Sequence, residues 1–428
     1  MLKVLETFSG IGAQAKALSK LNIDFSIVAT ADWDINVIIA YDLIHNGEQD
    51  LSTYNKMSKI EIIDKLTKHT LSPDGKSKYK EGALKRINIS MLKRLLCAIE
   101  RTNNLVSITD MTSNDIPDDL DLLTYSFPCQ DLSIAGVWHG NMSGIDRDAF
   151  NRSGMLWEVE RILKECVSNK KILPRFLVME NVKNILSSRH MGNFQEWIDY
   201  LSQIGYFSKI YRLNASKFGI PQNRERVYMI SIYTDGNAKK NDVLNEYFNK
   251  NNLENEEYVQ SLPLNKINIK DIIKIDYTNS IYKAEADKSQ IHDTPSRRKI
   301  IVDNDKILEK NKYVKLIKTL TTKQDRNPNS GVIEYNYENK GKTKWRYLTS
   351  RECFIAMGFD ENDYDMLMRN NVNITNRRKL FSESKLIKMA GNSIVVNVIE
   401  AIFIQVIDIM SIFENEYHKG DNNKKEMF

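Results

Sequence analysis

The sequence predicts an α/β fold: a sheet covered by helices on both faces, with a second, smaller and irregular domain. Three observations carry this expectation. Short apolar runs alternate with helical patterns between residues 121 and 232, and a glycine-bearing turn follows the first strand, with an acid 20 residues beyond its second glycine. After Asp235-Gly236 the alternation gives way to a stretch rich in Asn and Lys. Strands that alternate with helices bury both faces of a largely parallel sheet. At 428 residues a single core rarely suffices, so two domains are expected. Apolar residues at 42% and charged residues at 27% exclude wholesale disorder.

Val4-Leu5-Glu6-Thr7-Phe8 reads as the first strand and runs into Ser9-Gly10-Ile11-Gly12-Ala13. Glycines there let the backbone turn sharply and approach a ligand that a Cβ would exclude. Asp32 follows the apolar stretch Phe25-Ser26-Ile27-Val28, where a carboxylate can accept hydrogen bonds from both hydroxyls of a ribose. This pattern suits NAD and S-adenosylmethionine alike, and a plain glycine turn as well. Phe8 precedes the turn, and Trp33 follows the acid, where an indole can stack on an adenine. Asp110, after Val106-Ser107-Ile108-Thr109, can accept from an adenine amino group.

Residues 48–104 mix helical stretches with a loop at Ser72-Pro73-Asp74-Gly75-Lys76 and read as an insertion. They hold 12 basic and 7 acidic residues, and residues 236–345 hold 21 and 16, while the whole chain nets only +5. Positive charge is therefore concentrated in two segments. That suits approach to a polyanion, or an uneven solvated surface.

Ser126-Phe127-Pro128-Cys129-Gln130 follows the strand 121–125 directly, which places Cys129 at the carboxyl edge of the sheet, where open α/β sheets put their ligands. The thiolate fraction of such an exposed thiol is strongly nucleophilic. Cys97, Cys166 and Cys353 read as buried structure. Phe176-Leu177-Val178-Met179 leads into Glu180-Asn181-Val182, and a carboxyl at the end of a buried strand can be kept protonated and act as an acid. In Gln222-Asn223-Arg224-Glu225-Arg226 the two arginines point to one side of an extended chain and suit an anion clamp.

The cysteine and histidine spacings suggest neither a disulfide framework nor a metal site, so the chain reads as reduced, intracellular and metal-free. Met1 through Glu6 reaches an acid too early for a signal peptide. The most apolar stretch, 394–412, is interrupted by Asn397, Glu400, Gln405, Asp408 and Ser411, whose spacing predicts a buried helix with one wet edge rather than a membrane span.

Taken in order, Phe8-Ser9-Gly10-Ile11-Gly12, Pro128-Cys129-Gln130, Glu180-Asn181-Val182, Gln222 through Arg226, Arg346 through Glu352 and Gly391-Asn392-Ser393 resemble the blocks of the DNA cytosine-5 methyltransferase family. The resemblance covers about 1–45, 105–235 and 346–410. It implies a Rossmann-like S-adenosylmethionine-dependent methyltransferase domain over 1–235, with the insertion at 48–104, completed by 385–415. A smaller, irregular target-recognition domain would occupy 236–384, followed by a polar tail at 416–428. S-adenosyl-L-methionine would contact Phe8, Gly10, Ile11, Gly12, Asp32, Trp33, Asp110, Met111, Leu156, Asn392, Ser393 and Ile394. Cys129, Glu180 and Arg224 would be catalytic, with Arg224 holding the base. Gln130, Ser133, Asn181, Arg226 and Thr319 would meet DNA, Thr319-Leu320 resembling the Thr-Leu element of the recognition domain. The implied partners are double-stranded DNA and a cognate restriction endonuclease acting independently on the same site. The chain would work as a monomer, away from membranes, in the cytoplasm of a bacterium or as a phage product.

Three other readings compete. A tRNA cytosine-5 methyltransferase shares the fold, but the long recognition segment and the Gln-Asp-Leu-Ser context after Cys129 favour duplex DNA. An NAD-dependent oxidoreductase leaves the Cys129 and Gln222–Arg226 blocks without a role. A catalytically dead DNA-binding homologue would be expected to lack Cys129 or Glu180, and both are present.

Overall fold

The computed structural model describes residues 1–128, 132, 145–147, 153–375 and 378–425, so Cys129, Gln130 and Ser133 lie outside the described residues. The apolar runs form β1 (Leu2–Thr7), β2 (Phe25–Ala31), β3 (Leu122–Tyr125), β4 (Phe176–Val182), β5 (Tyr206–Asn214), β6 (Gln222–Asn223) and β7 (Glu225–Tyr233). Six of them make one sheet in the order β2-β1-β3-β4-β7-β5. The strands β1 to β4 run parallel, and β7 is antiparallel to both β4 and β5. Val4, Leu122, Phe176, Val178 and Ile230 belong to one buried cluster, and their neighbours Leu5, Leu123, Leu177, Met179 and Met229 to another. Side chains alternate across a strand, so the sheet is buried on both faces, as the alternating pattern predicts.

The turn after β1 is tightly wound. Phe8, Gly10 and Gly12 all have positive φ, at 54°, 55° and 77°. For Phe8 that conformation costs roughly 1–2 kcal/mol. Helix α1 (Ala13–Lys20) follows, and α2 (Ile35–Asn46) begins after Asp34, whose carboxylate accepts from the Asn36 backbone N–H at 3.1 Å.

The insertion is not a surface appendage. It forms α3 (Ser52–Asn55), α4 (Lys59–Leu66) and α5 (Ile89–Arg101), and Ile62, Leu66, Met91, Leu92, Leu95 and Leu96 join the same buried cluster as one face of the sheet. The spacing of three and four along α5 draws one apolar face, which packs on α2.

The change of composition at Asp235-Gly236 is likewise no break in the core. Leu244, Phe248, Val259, Ile269 and Ile272 pack into that same cluster. A separate five-stranded sheet comes later, from β8 (Gln290–His292), β9 (Lys306–Glu309), β10 (Lys312–Tyr313), β12 (Val332–Glu334) and β13 (Lys342–Arg346), while β11 (Ile317–Lys318) pairs with β6. This sheet has a small apolar cluster of its own, built on Ile291, Ile301, Val332, Trp345 and Tyr347.

The C-terminal helices are Glu383–Asn392 and Val396–Lys425, and the second packs on α1. The stretch Glu383–Glu414 is long and apolar enough to cross a membrane, but 78% of its most apolar window is buried inside the protein, as befits a core helix. The expected wet edge is corrected in part. Asn397 and Gln405 are buried and donate to the backbone carbonyls of Phe218, Asn265 and Asn251, Glu400 is buried as well, and only Asp408 and Ser411 face solvent. The stripe is polar because it bonds to loops packed over the helix, which spacing alone does not distinguish from a solvated face.

Past β13 the chain is tied down by an ion pair shut off from solvent. Arg346 donates both terminal nitrogens to Glu352, each at 2.8 Å, and both side chains have zero exposure. Glu352 also accepts from the Thr349 and Lys274 backbone N–H groups. Breaking such a pair leaves a buried charge alone. We therefore expect Arg346→Ala to lower stability by about 3–5 kcal/mol, measured as a fall in the urea midpoint at constant slope.

Candidate functional site

A cavity of about 1180 Å³ opens along the carboxyl ends of β1 to β4. Four strand ends supply its wall: Phe8 and Gly10 after β1, Asp32 and Trp33 after β2, Ser126 to Pro128 after β3, and Glu180 and Val182 on β4. The Asp32 carboxylate accepts from the Gly10 N–H at 3.1 Å and from the Asp34 N–H at 2.9 Å. Burial nonetheless pushes its pKa up to about 6. A Cβ on Gly10 would meet nothing nearer than 4.0 Å, so the backbone is open to the cavity there.

Below the turn lies a buried polar cluster. Glu6 accepts from the Tyr41 hydroxyl at 2.8 Å, and burial pushes its pKa up to about 7. His45 is driven down to about 4 by burial, so it is neutral and donates through Nε2 to the Ile11 carbonyl at 3.0 Å. A Cβ on Gly12 would fall 2.1 Å from that nitrogen, which is why glycine is needed at this position. Gly12 itself stands behind the wall and does not line the cavity.

Glu180 and Arg226 face each other at the other end, with Arg226 Nε 3.3 Å from Glu180 Oε1. Burial raises the Glu180 pKa, against the pull of Arg226 and Arg224. Arg224 lines the same cavity, but its guanidinium donates to the carbonyls of Leu320 at 3.0 Å, Gly391 at 3.1 Å and Ser393 at 2.9 Å. The arginine expected to hold a base is thus engaged with backbone, and Arg226 is the one beside the acid. Asn181 is buried and donates to the Phe127 carbonyl at 3.1 Å, tying β4 to the segment that leads to Cys129. Thr319 donates to the Asn223 carbonyl at 2.7 Å outside the cavity.

The fold thus gathers Phe8, Gly10, Ile11, Asp32, Trp33, Asp110, Glu180, Arg224, Arg226, Asn392 and Ser393 around one space. Met111, Leu156 and Ile394 are buried in the packing behind it. Two contributions were missed from the sequence. Lys385 and Lys388 line the cavity alongside Asn392, and their spacing of three and four on one helix was a usable signal. The loop 70–78 of the insertion lines it too; its Pro-Asp-Gly turn is legible in the sequence, but nothing local tells what it faces. Among the described residues no cluster of three or more His, Cys, Asp or Glu could hold a metal.

Comparison with known proteins gives this geometry a family. The family described as C-5 cytosine-specific DNA methylase matches residues 83–408, and the chain belongs to it. It is an S-adenosylmethionine-dependent DNA cytosine methyltransferase. More particularly, it is 33% identical over 409 residues to the orphan methyltransferase M.SssI of Spiroplasma monobiae, covering 95% of this chain and 97% of that one. It is 32% identical to the type II methyltransferase M2.ScrFI of Lactococcus lactis subsp. cremoris, covering 94% and 98%. The crystal structure of S. pombe Dnmt2 methyltransferase shares the fold, with a TM-score of 0.57 at 17% identity over 96% of this chain and 99% of that one.

The Glu6 carboxyl allows a prediction on stability. Its pKa rises on folding from an ordinary 4.5 to about 7, so the folded state keeps a proton that the unfolded chain releases within that window. The stabilisation is complete below pH about 4.5 and is lost as pH rises through about 7. Urea midpoints at pH 5 and pH 8 should show a wild-type loss of at most roughly 3 kcal/mol, and a smaller loss in Glu6→Gln, which cannot ionise.

Proposed function

We propose that this protein methylates C5 of a cytosine flipped out of a specific duplex DNA sequence, through a covalent bond between Cys129 and C6. The observation that carries the reading is the pairing of a largely enclosed Glu180 with Arg226 at one end of the cavity whose other end presents Asp32 and Trp33. The residues at that second end fit S-adenosylmethionine. A half-buried carboxylate with two backbone N–H partners has lone pairs left for ribose hydroxyls, an indole lies beside it, and Asp110 lies on the same wall. When bound, the cofactor supplies an electrophilic methyl group.

C5 of cytosine is a poor nucleophile, so the ring must be activated first. The Cys129 thiolate adds to C6 while Glu180, whose raised pKa keeps a proton available, delivers it to N3. The ring becomes an enamine, and C5 gains the electron density needed to take up a methyl group. Loss of the C5 proton to water then restores the double bond and expels the Cys129 thiolate, while N3 returns its proton to Glu180. We assign the contact to the base O2 to Arg226 rather than Arg224, because Arg224 holds three carbonyls. Asn181 would position the Cys129 segment through the Phe127 carbonyl. The target atom is hidden in a stacked duplex, so the base is extruded at a cost of about a few kcal/mol. Gln130 and Ser133 would face the DNA, and the recognition segment 236–384, Thr319 included, would read the site in the major groove.

The family match is to DNA methylases, and the two relatives named above come from bacteria, which supports duplex DNA over tRNA and a cytoplasmic setting. All the residues assigned to the site come from one chain, which supports a monomer. A cognate endonuclease would act separately on the same sequence.

Replacing the C5 hydrogen by fluorine blocks the last proton loss, so a duplex with 5-fluorocytosine at the target should trap the protein covalently, seen as a slow band on a denaturing gel. Cys129→Ser should give no such band; trapping by that variant would remove Cys129 from the role. Glu180→Gln should lower kcat by about 10²–10⁴-fold with little change in cofactor affinity.

A further inference from the structure

The insertion has a place at the cofactor end of the cavity. Its loop 70–78 runs along the cavity wall and is fastened at three points to residues of that wall. At one end the Thr70 N–H donates to Asp110 Oδ2 at 3.2 Å. In the middle, Ser72 donates its N–H to the Trp33 carbonyl at 2.7 Å and accepts from the Ile35 N–H at 3.1 Å. Two residues further on, at the loop's midpoint, Lys388 of the helix Glu383–Asn392 bridges the Asp34 carboxylate, 3.3 Å away, and the carbonyl of Asp74. The Ser72 hydroxyl donates to the Ser77 carbonyl at 2.6 Å and accepts from the Gly75 N–H at 2.9 Å, which closes the loop on itself. Gly75 has φ +70, and a Cβ there would come 3.3 Å from the Asp34 carboxylate, so the loop lies close against the N-terminus of α2.

These anchors follow the chain of groups assigned to the cofactor. Asp110 and Trp33 flank the adenine, Asp32 takes the ribose, and Lys388 lies one helical turn before Asn392. We propose that loop 70–78 is a cofactor-binding strap that completes the nucleoside side of the S-adenosylmethionine pocket, with Lys388 as the positioning residue that latches it. This rests on the cofactor reading above. A strap tied to Asp110 and the Trp33 backbone sets the acceptor and the indole together, so the cofactor enters a formed pocket rather than ordering one. Lys388 acts through the loop and need not touch the ligand.

Three variants and one protease separate the outcomes. By calorimetric titration with S-adenosylhomocysteine, Lys388→Met should bind at least about tenfold more weakly than wild type, the scale of one charged hydrogen bond, and Lys388→Arg should recover most of that loss. Asp32→Ala tests the underlying reading and should bind more weakly still. Lys76, Lys78 and Lys80 are exposed on and just after the loop, so trypsin reports its opening directly. Saturating S-adenosylhomocysteine should slow cleavage at these lysines in the wild-type chain by about tenfold or more. Normal affinity in Lys388→Met beside loss in Asp32→Ala would overturn the strap and leave the cofactor site standing. Normal affinity in Asp32→Ala would overturn both. If Lys388→Met does not fold, the wild-type digestion decides: cleavage indifferent to the ligand overturns the proposal.

Discussion

The guanidinium of Arg224 reaches backbone carbonyls that the chain brings from far apart: Leu320 just past β11, and Gly391 and Ser393 at the end of a C-terminal helix. Arginine suits this task because its planar fork presents fixed donors and its charge is never lost. A buried cation is tolerable only when its donors are satisfied, so the three segments must arrive together or not at all. Gln222 reinforces the junction, donating to the Ala356 carbonyl at 2.8 Å and accepting from the Leu320 N–H at 3.0 Å. Gly391 shows how close the approach is, since a Cβ there would fall 2.6 Å from the Thr322 nitrogen. The cavity has its wall at Asn392 and Ser393 because of this clasp.

Within the cavity, two carboxyl groups are both pushed towards protonation by burial but are answered differently. Asp32 is held by two backbone N–H groups, fixed partial charges that favour a hydrogen-bond acceptor of set direction. Glu180 is answered by the side chain of Arg226, and its surroundings leave its pKa above that of an ordinary carboxyl. The first arrangement suits binding and the second suits proton delivery. Behind the turn that presents Gly10, a neutral His45 and the Glu6–Tyr41 pair fill the space so closely that only glycine fits at position 12.

The insertion changes character once seen in three dimensions. Its apolar side is sequestered, since α4 and α5 bury Ile62, Leu66, Leu92, Leu95 and Leu96 against the sheet domain. Most of its cations, Lys65, Lys76, Lys78 and Lys85 among them, face solvent, while Arg101 pairs with the buried Asp42, 3.2 Å away. Net charge counts side chains without their directions, so it reports neither the buried side of the segment nor which cations are exposed.

The sequence by itself determined the α/β class, the strand ends and the polar residues at them. Asp32, Glu180 and the glycine turn were legible because alternation, apolar runs and turn residues are local signals that depend on neighbours a few positions away. The tertiary structure decided which of these groups share a space. It set Arg226 rather than Arg224 beside Glu180, buried Asn397 and Gln405 in a stripe that spacing alone marks as wet, and carried Thr70 and Asp74 to the cavity wall. Each of those placements rests on a side chain or an N–H group meeting an acceptor from a distant part of the chain. Such bonds are directed at backbone carbonyls as often as at side chains, and a carbonyl leaves no mark in the sequence.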